Sequence, residues 1–156
     1  MGAPGQLQIK VEGIDKTQLR LATMGRAASM SMPAMVMVSN EMLRIERATF
    51  DSEGRRGGGS WARDTDAWMI SKQRRNLDPR IGHARLALRD SVSQLGAPNQ
   101  ILRLTPKSVT LGSHLPYAAT EQKHRPFLKF TASDREKMNL IISEYLKAVW
   151  DLAVIA

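Results

Sequence analysis

Residues 7–12, LQIKVE, alternate strictly, with Leu7, Ile9 and Val11 on one side and Gln8, Lys10 and Glu12 on the other. That is the period of a half-buried strand. Asp15 follows as an N-cap with Gln18 three residues on, and Ile14 and Leu19 flank it as a hydrophobic staple, predicting a helix over about 16–28. Pro33 suits the first turn of a second helix, capped by Ser31 or Met32. In that helix Met35, Val38, Met42, Ile45 and Thr49 recur at three-to-four spacing, the stripe of an amphipathic helix. The five Met of residues 30–42 sit at this spacing, which favours a core or subunit interface over an adaptable binding groove.

The pattern then breaks. The stretch DSEGRRGGGSW holds four Gly and no aliphatic residue, and SWARDTDAWMISKQRRNLDPR sets two Trp among many charges with weak periodicity. Residues 51–80 therefore read as a long, flexible excursion without secondary structure, ordered by a partner; stretches of that kind are usually functional. Regularity returns with Ile81, Leu88, Val92 and Leu95, a helix over 81–95 ending near Gly96. QILRLT and SVTLGS form a hairpin around Pro106-Lys107. Ser133 with Glu136 makes a capping box ahead of Met138, Ile141, Ile142, Tyr145, Leu146, Val149 and Leu152, a long amphipathic C-terminal helix. The order predicts one α+β domain over 1–156: a small, mainly antiparallel sheet packed by N-terminal helices and a long C-terminal helix, with 51–80 as the excursion.

Residues 114–128, HLPYAATEQKHRPFL, admit three readings: an active-site loop, a metal loop or a structural corner. His114, Glu121 and His124 match no helical i, i+4 pair of ligands and lack an evident third partner. No Ser lies in a nucleophile elbow, and GRRGGGS lacks the Lys-Ser/Thr and strand-to-helix context of a phosphate loop. No pair of acids is flanked for acid–base work. No catalytic residue, metal or cofactor is expected, and a hydrolase is the weakest of the possible functions. Pro126 fixes its own φ and biases Arg125 toward extended backbone. The corner reading follows: Tyr117 and Ala118 take the chain off a strand end, Phe127 drops into the core beneath the C-terminal helix, and exposed Arg125 and Lys123 are left to touch a neighbour.

Composition narrows the function classes. The 156-residue chain has no cysteine, which removes disulfides, thiolate metal sites and Cys nucleophiles. No apolar run nears the roughly 20 residues that span a bilayer, and MGAPGQLQIK has no signal-peptide apolar region, so a cytoplasmic protein is expected. The net charge of +8 suggests a nearby polyanion. Basic pairs Arg55-Arg56 and Lys72 to Arg75 bracket Trp61 and Trp68. Such a segment binds nucleic acid, with stacking on the Trp, or forms a protein–protein arm, since Trp and Arg dominate interface hot spots. The Gly hinges favour the arm, with both Trp as exposed anchors and Arg63, Lys72 and Arg75 as rim.

These residues, in this order, carry a resemblance. Phe50, Gly54, Trp61, Thr65 and Lys72 at loose spacing precede Leu88-Arg89-Asp90-Ser91-Val92. A strand then ends in Gly112-Ser113, followed by Tyr117-Ala118 and by Arg125-Pro126-Phe127-Leu128 before the last helix. The chain resembles the tailed-bacteriophage tail-completion and head–tail connection proteins, from about Leu7 to Leu146. It departs from their pattern in having Gly82-His83-Ala84-Arg85 where a Thr-Gly is usual, and in the short ATEQKH loop. The resemblance implies a non-enzymatic virion protein, assembled in the host cytoplasm into a ring of six copies around the DNA channel. Its partners would be itself, the tail tube protein and the head–tail connector or stopper, with genomic DNA in the lumen and no membrane. The implied contact residues are Arg55, Arg56, Trp61, Arg63, Thr65, Trp68, Lys72 and Arg75, and Tyr117, Arg125, Pro126 and Phe127 form the corner. The alternative from another class is a basic nucleic-acid-binding module.

Overall fold

The computed structural model describes Gly25, residues 31–80 and residues 86–155. The predicted strand 7–12 and, apart from Gly25, the predicted helix 16–28 lie outside the described residues. Helix α1, Met32–Asp51, starts with Pro33 in its first turn, where the missing N–H is no loss. Ser31 precedes it without capping it through its side chain; its hydroxyl donates instead to the carbonyl of Pro106. The expected stripe is observed, with Met35, Val38, Ile45 and Thr49 buried and Met42 half-buried.

The hairpin forms as expected. Strands β1, Gln100–Thr105, and β2, Ser108–Ser113, pair antiparallel, with Leu102 opposite Leu111 and Leu104 opposite Val109. A two-stranded ribbon is marginal alone. Here α1 and helix α3, Ala87–Ser93, pack on both strands and on each other. The described part of the predicted helix 81–95 is thus shorter than the pattern suggested. The last helix, α5, Ala132–Ile155, packs on α1. Its cap is not the Ser133–Glu136 box. Asp134 Oδ2 accepts from the backbone N–H and the hydroxyl of Thr131 at 2.8 and 2.7 Å, and the Asp134 N–H donates back to Thr131 Oγ1 at 3.2 Å. The reciprocal bonding is that of a capping box, placed two residues earlier. The architecture is the expected α+β fold, a small antiparallel sheet with a long C-terminal helix.

Segment 51–80 departs from expectation. It contains a 3-10 turn, Arg55–Gly57, and a helix, α2, Asp66–Arg74, whose N-cap Thr65 accepts from the Trp68 N–H. It also supplies a core side chain. Phe50, Trp61, Leu88, Val92, Ala118 and Phe127 form one buried cluster, with Leu115 and Leu128 against it. The Phe50 and Trp61 rings meet edge to face, centroids 5.0 Å apart at 80°, and Phe127 lies 5.8 Å from Phe50. Gly54 makes the approach possible. It has φ +82°, and a Cβ there would overlap the Trp61 indole, so the position demands glycine both conformationally and sterically. The corner also holds a helix that the pattern missed, α4, Ala118–His124.

Candidate interaction surface

Two polar knots bind the 51–80 segment to the rest of the fold. In the first, Asp64 and Lys72 are buried, and Lys72 Nζ donates to Asp64 Oδ2 at 2.6 Å and to the carbonyl of Arg80 at 2.9 Å. Arg125 donates to Asp64 Oδ1 at 2.6 Å, to Glu121 at 3.4 Å and to the carbonyl of Ala62 at 3.3 Å. Trp61 Nε1 reaches the carbonyl of Pro126 at 3.2 Å. Gln122 Oε1 accepts from the N–H groups of Phe127 and Leu128 at 3.1 and 3.0 Å. The corner is therefore held from inside by α4 and from outside by residues 61–72. Arg125, expected as an exposed contact residue, is a half-buried tie, with φ −138° and ψ 83°, outside the helical region that a following proline disfavours.

In the second knot, Arg56 forks onto both oxygens of buried Asp134 at the start of α5. The guanidinium, with the Thr131 bonds, holds the Asp134 carboxyl well below the usual carboxylate range, against the opposing effect of burial. The Asp134 hydrogen bonds in turn raise the Arg56 pKa. Glu46 of α1 lies within the field of this pair. It is fully buried, and neither carboxylate oxygen has a hydrogen-bond partner among the described residues. Burial pushes its pKa up to about 8, with Asp134 adding to the rise and Arg56 opposing it.

The expected contact set divides accordingly. Trp61 is buried, so its role as an exposed anchor is corrected: its partners Phe50 and Phe127 are distant in sequence, and local periodicity cannot reveal them. Lys72 is buried at 1% side-chain exposure, not part of a rim. Arg56 is spent on Asp134, and Thr65 caps α2. Arg55, Arg63, Trp68 and Arg75 remain on the surface, as does Tyr117 at the corner, while Phe127 is in the core as expected. The residues that pattern reading missed are Asp64, Asp134 and Glu46. Thr131 and Asp134 did carry a signal, the cap-to-N3 spacing of a capping box.

What faces outward is an inverted helix. α2 buries its Lys72 and exposes Trp68 at 38% and Ile70 at 49%. Arg63, Arg74 and Arg75 surround it, exposed and in no ion pair among the described residues. The exposed leucines of α5 are six residues apart and so lie on three different sides of the helix. Asp134 is the one buried residue between Ala132 and Leu152, and Leu140, Leu146 and Leu152 are exposed at 56%, 39% and 69%. Isolated exposed leucines are ordinary, and the rest of the predicted stripe, Met138, Ile141, Ile142, Tyr145 and Val149, is half-buried. Among the described residues no His, Asp and Glu group has the arrangement to hold a metal ion, and no helix is long and apolar enough to cross a membrane. No family model, curated protein or solved structure matches the chain.

Proposed function

We propose that the chain is a structural protein of a tailed-bacteriophage neck or tail end. Its copies assemble into a ring around the DNA channel, complete the tail and join it to the head connector. One observation supports this reading above others. The residues through which the chain resembles that family are scattered along the sequence, yet several of them, from Phe50 to Phe127, lie together in space. Phe50, Trp61, Leu88, Val92, Ala118 and Phe127 are the core cluster. Gly54 admits the indole, Ser91 and Ser113 join their hydroxyls at 2.8 Å, and Lys72 and Arg125 meet on Asp64. The shared pattern is thus a fold signature, and the work of assembly falls to surfaces outside it.

The test is the mass of the purified full chain, alone and with tubes assembled from the tail tube protein encoded in the same genome. Capping of tube ends by a fixed number of copies is the expected result. A chain that ignores the tubes and stays single at all concentrations overturns the reading. The second reading, a nucleic-acid-binding module, draws on exposed Trp68 close in sequence to Arg74 and Arg75. It requires tight DNA binding that falls steeply with salt.

A further inference from the structure

The Arg56–Asp134 knot has a third member that makes no bond. Glu46 is fully buried, and neither of its oxygens has a hydrogen-bond partner among the described residues. One turn away on its own helix stand Met42, Leu43, Thr49 and Phe50, none of them charged. The charged groups that act on it are Arg56, from the turn after α1, and Asp134, from α5. Arg44 acts on both of those but is paired with Glu41 at 2.6 Å, and Lys137 lies in the field of the same Glu41. A buried carboxyl without donors favours its neutral form, and burial raises its pKa to about 8. At neutral pH Glu46 therefore keeps its proton, and Arg56 is left to Asp134.

The two acids near Arg56 belong to different parts of the fold. The turn that carries Arg56 is rooted on the end of α1: the Gly54 N–H donates to the Thr49 carbonyl at 2.9 Å, the Arg55 N–H to the Ser52 carbonyl at 3.1 Å and the Arg56 N–H to Ser52 Oγ at 3.2 Å. Glu46 is part of the same α1. Asp134 is part of α5, whose main support among the described elements is α1. The Arg56 guanidinium is thus a clasp between α1 and the start of α5. We propose that Glu46 is a proton-controlled latch on the C-terminal helix: protonated, it leaves Arg56 on Asp134 and α5 stays on α1; ionised, it draws Arg56 to its own side and α5 comes away. An ionised Glu46 sets two buried carboxylates against one guanidinium, an uncompensated charge that is costly while α5 covers it; parting the helices hydrates it. The closed form holds this proton more tightly than the released form, so rising pH favours release. The opening equilibrium should rise tenfold per pH unit between 4.5 and about 8 and level off above. The latch stands on these three side chains and does not depend on the neck reading.

Amide hydrogen exchange of the full chain, read residue by residue by NMR from pH 5 to pH 9, tests the latch. A helix without its support is marginal in water, so the amides of α5 exchange on release even when release is rare. Corrected for the intrinsic exchange rate, protection at Ile141 and Ile142 should fall about tenfold per pH unit up to pH 8 and then level, while the amides of β1 stay the better protected throughout. In Glu46→Gln the protection of α5 should not change with pH; Glu46→Met takes its place if the amide variant fails to fold. Asp134→Asn, which takes the clasp's anchor from α5, should lower that protection at every pH. Level protection across the range in the wild type overturns the proposal, and so does a wild-type slope in the Glu46 variants. An Asp134→Asn variant as well protected as the wild type removes the clasp. Equal protection and equal slope in α5 and β1 would tie Glu46 to global unfolding alone and also overturn the proposal.

Discussion

Replacing Glu46 by Gln should stabilise the protein at neutral and alkaline pH and leave it unchanged in mild acid. Glu46 is fully buried, and both of its oxygens lack hydrogen-bond partners among the described residues. Its pKa rises from 4.5 in the reference state to about 8 in the fold. The folded protein therefore holds this proton more tightly than the unfolded chain. The associated stability is fully present below pH 4.5, falls as pH rises through the interval to 8, and is flat beyond. At 1.36 kcal/mol per unit, a rise of three to four units corresponds to about 4–5 kcal/mol lost across the interval. An amide keeps the shape and the burial without the titration, so the gain for Glu46→Gln at pH 8 approaches the same size. In urea denaturation followed by circular dichroism, the wild-type midpoint should fall from pH 5 to pH 8 while the Gln variant stays nearly level. Coincident curves for the two proteins would refute the reasoning and mean that the carboxylate is hydrated or paired in solution.

The core and the knots give further expectations. Trp61→Ala should cost about 3–5 kcal/mol, as large aromatic truncations in cores do, whereas Trp68→Ala should change thermal stability by less than ~0.5 kcal/mol; equal effects in calorimetry would contradict the placement of the two rings. Gly54→Ala adds strain at φ +82° to an overlap with the indole, so its loss should exceed the roughly 1–2 kcal/mol that the left-handed conformation alone costs an L-residue, read from the urea midpoint. Lys72→Met leaves Asp64 with Arg125 as its remaining cation, and removing one partner of a buried pair typically costs about 3–5 kcal/mol; a neutral result would show the pair to be solvated. Asp134, whose carboxyl is held low by Arg56, contributes stability that is lost as pH falls below its usual 3.8, and Asp134→Asn should flatten the acid limb of the same titration.

The elements legible in the sequence are those whose burial is local. The stripe of α1, the alternation of β1 and β2 and the stripe of α5 each repeat at the period of the element itself, and the structure holds all three. Trp61 fails that test because its burial depends on Phe50, at the end of α1, and on Phe127, beyond the hairpin and α4. Without a period, a Trp among Ser, Ala and Arg looks stranded, and the four glycines beside it look like slack. Gly54 is not slack: its missing Cβ is the space the indole occupies. Lys72 misleads for the related reason that a buried cation is visible only through its anion, and Asp64 lies eight residues away on the far side of the α2 cap. The helix α4 had a legible composition, Ala-Ala-Thr-Glu-Gln-Lys-His, mostly of helix formers, but it is only seven residues long and too short to show a stripe.

The same logic separates fold from function here. Residues that looked chemically distinctive (the Trp, the Lys after the Gly-rich run, the Arg before Pro) turned inward: Trp61 donates to the Pro126 carbonyl, and Lys72 and Arg125 meet on Asp64. The plainer residues, Ile70, Leu140 and Leu146, turned outward. Only a tertiary constraint produces a helix such as α2, with its lysine inside and its isoleucine outside: the buried charge fixes the helix's rotation about its axis, and Asp64 with the Arg80 carbonyl fixes the charge. Once that rotation is set, the face that carries Ile70 and Arg74 has no freedom to turn in. Removing the lysine should therefore do more than destabilise. Lys72→Met releases α2 to roll its apolar side chains toward the body, so a thiol introduced by Ile70→Cys in this chain without cysteine should react more slowly with a maleimide in the Lys72→Met background, even at a temperature where the variant remains folded. A Lys72→Met variant that is folded by circular dichroism and whose introduced thiol reacts at the unchanged rate would show that the buried pair does not set the face.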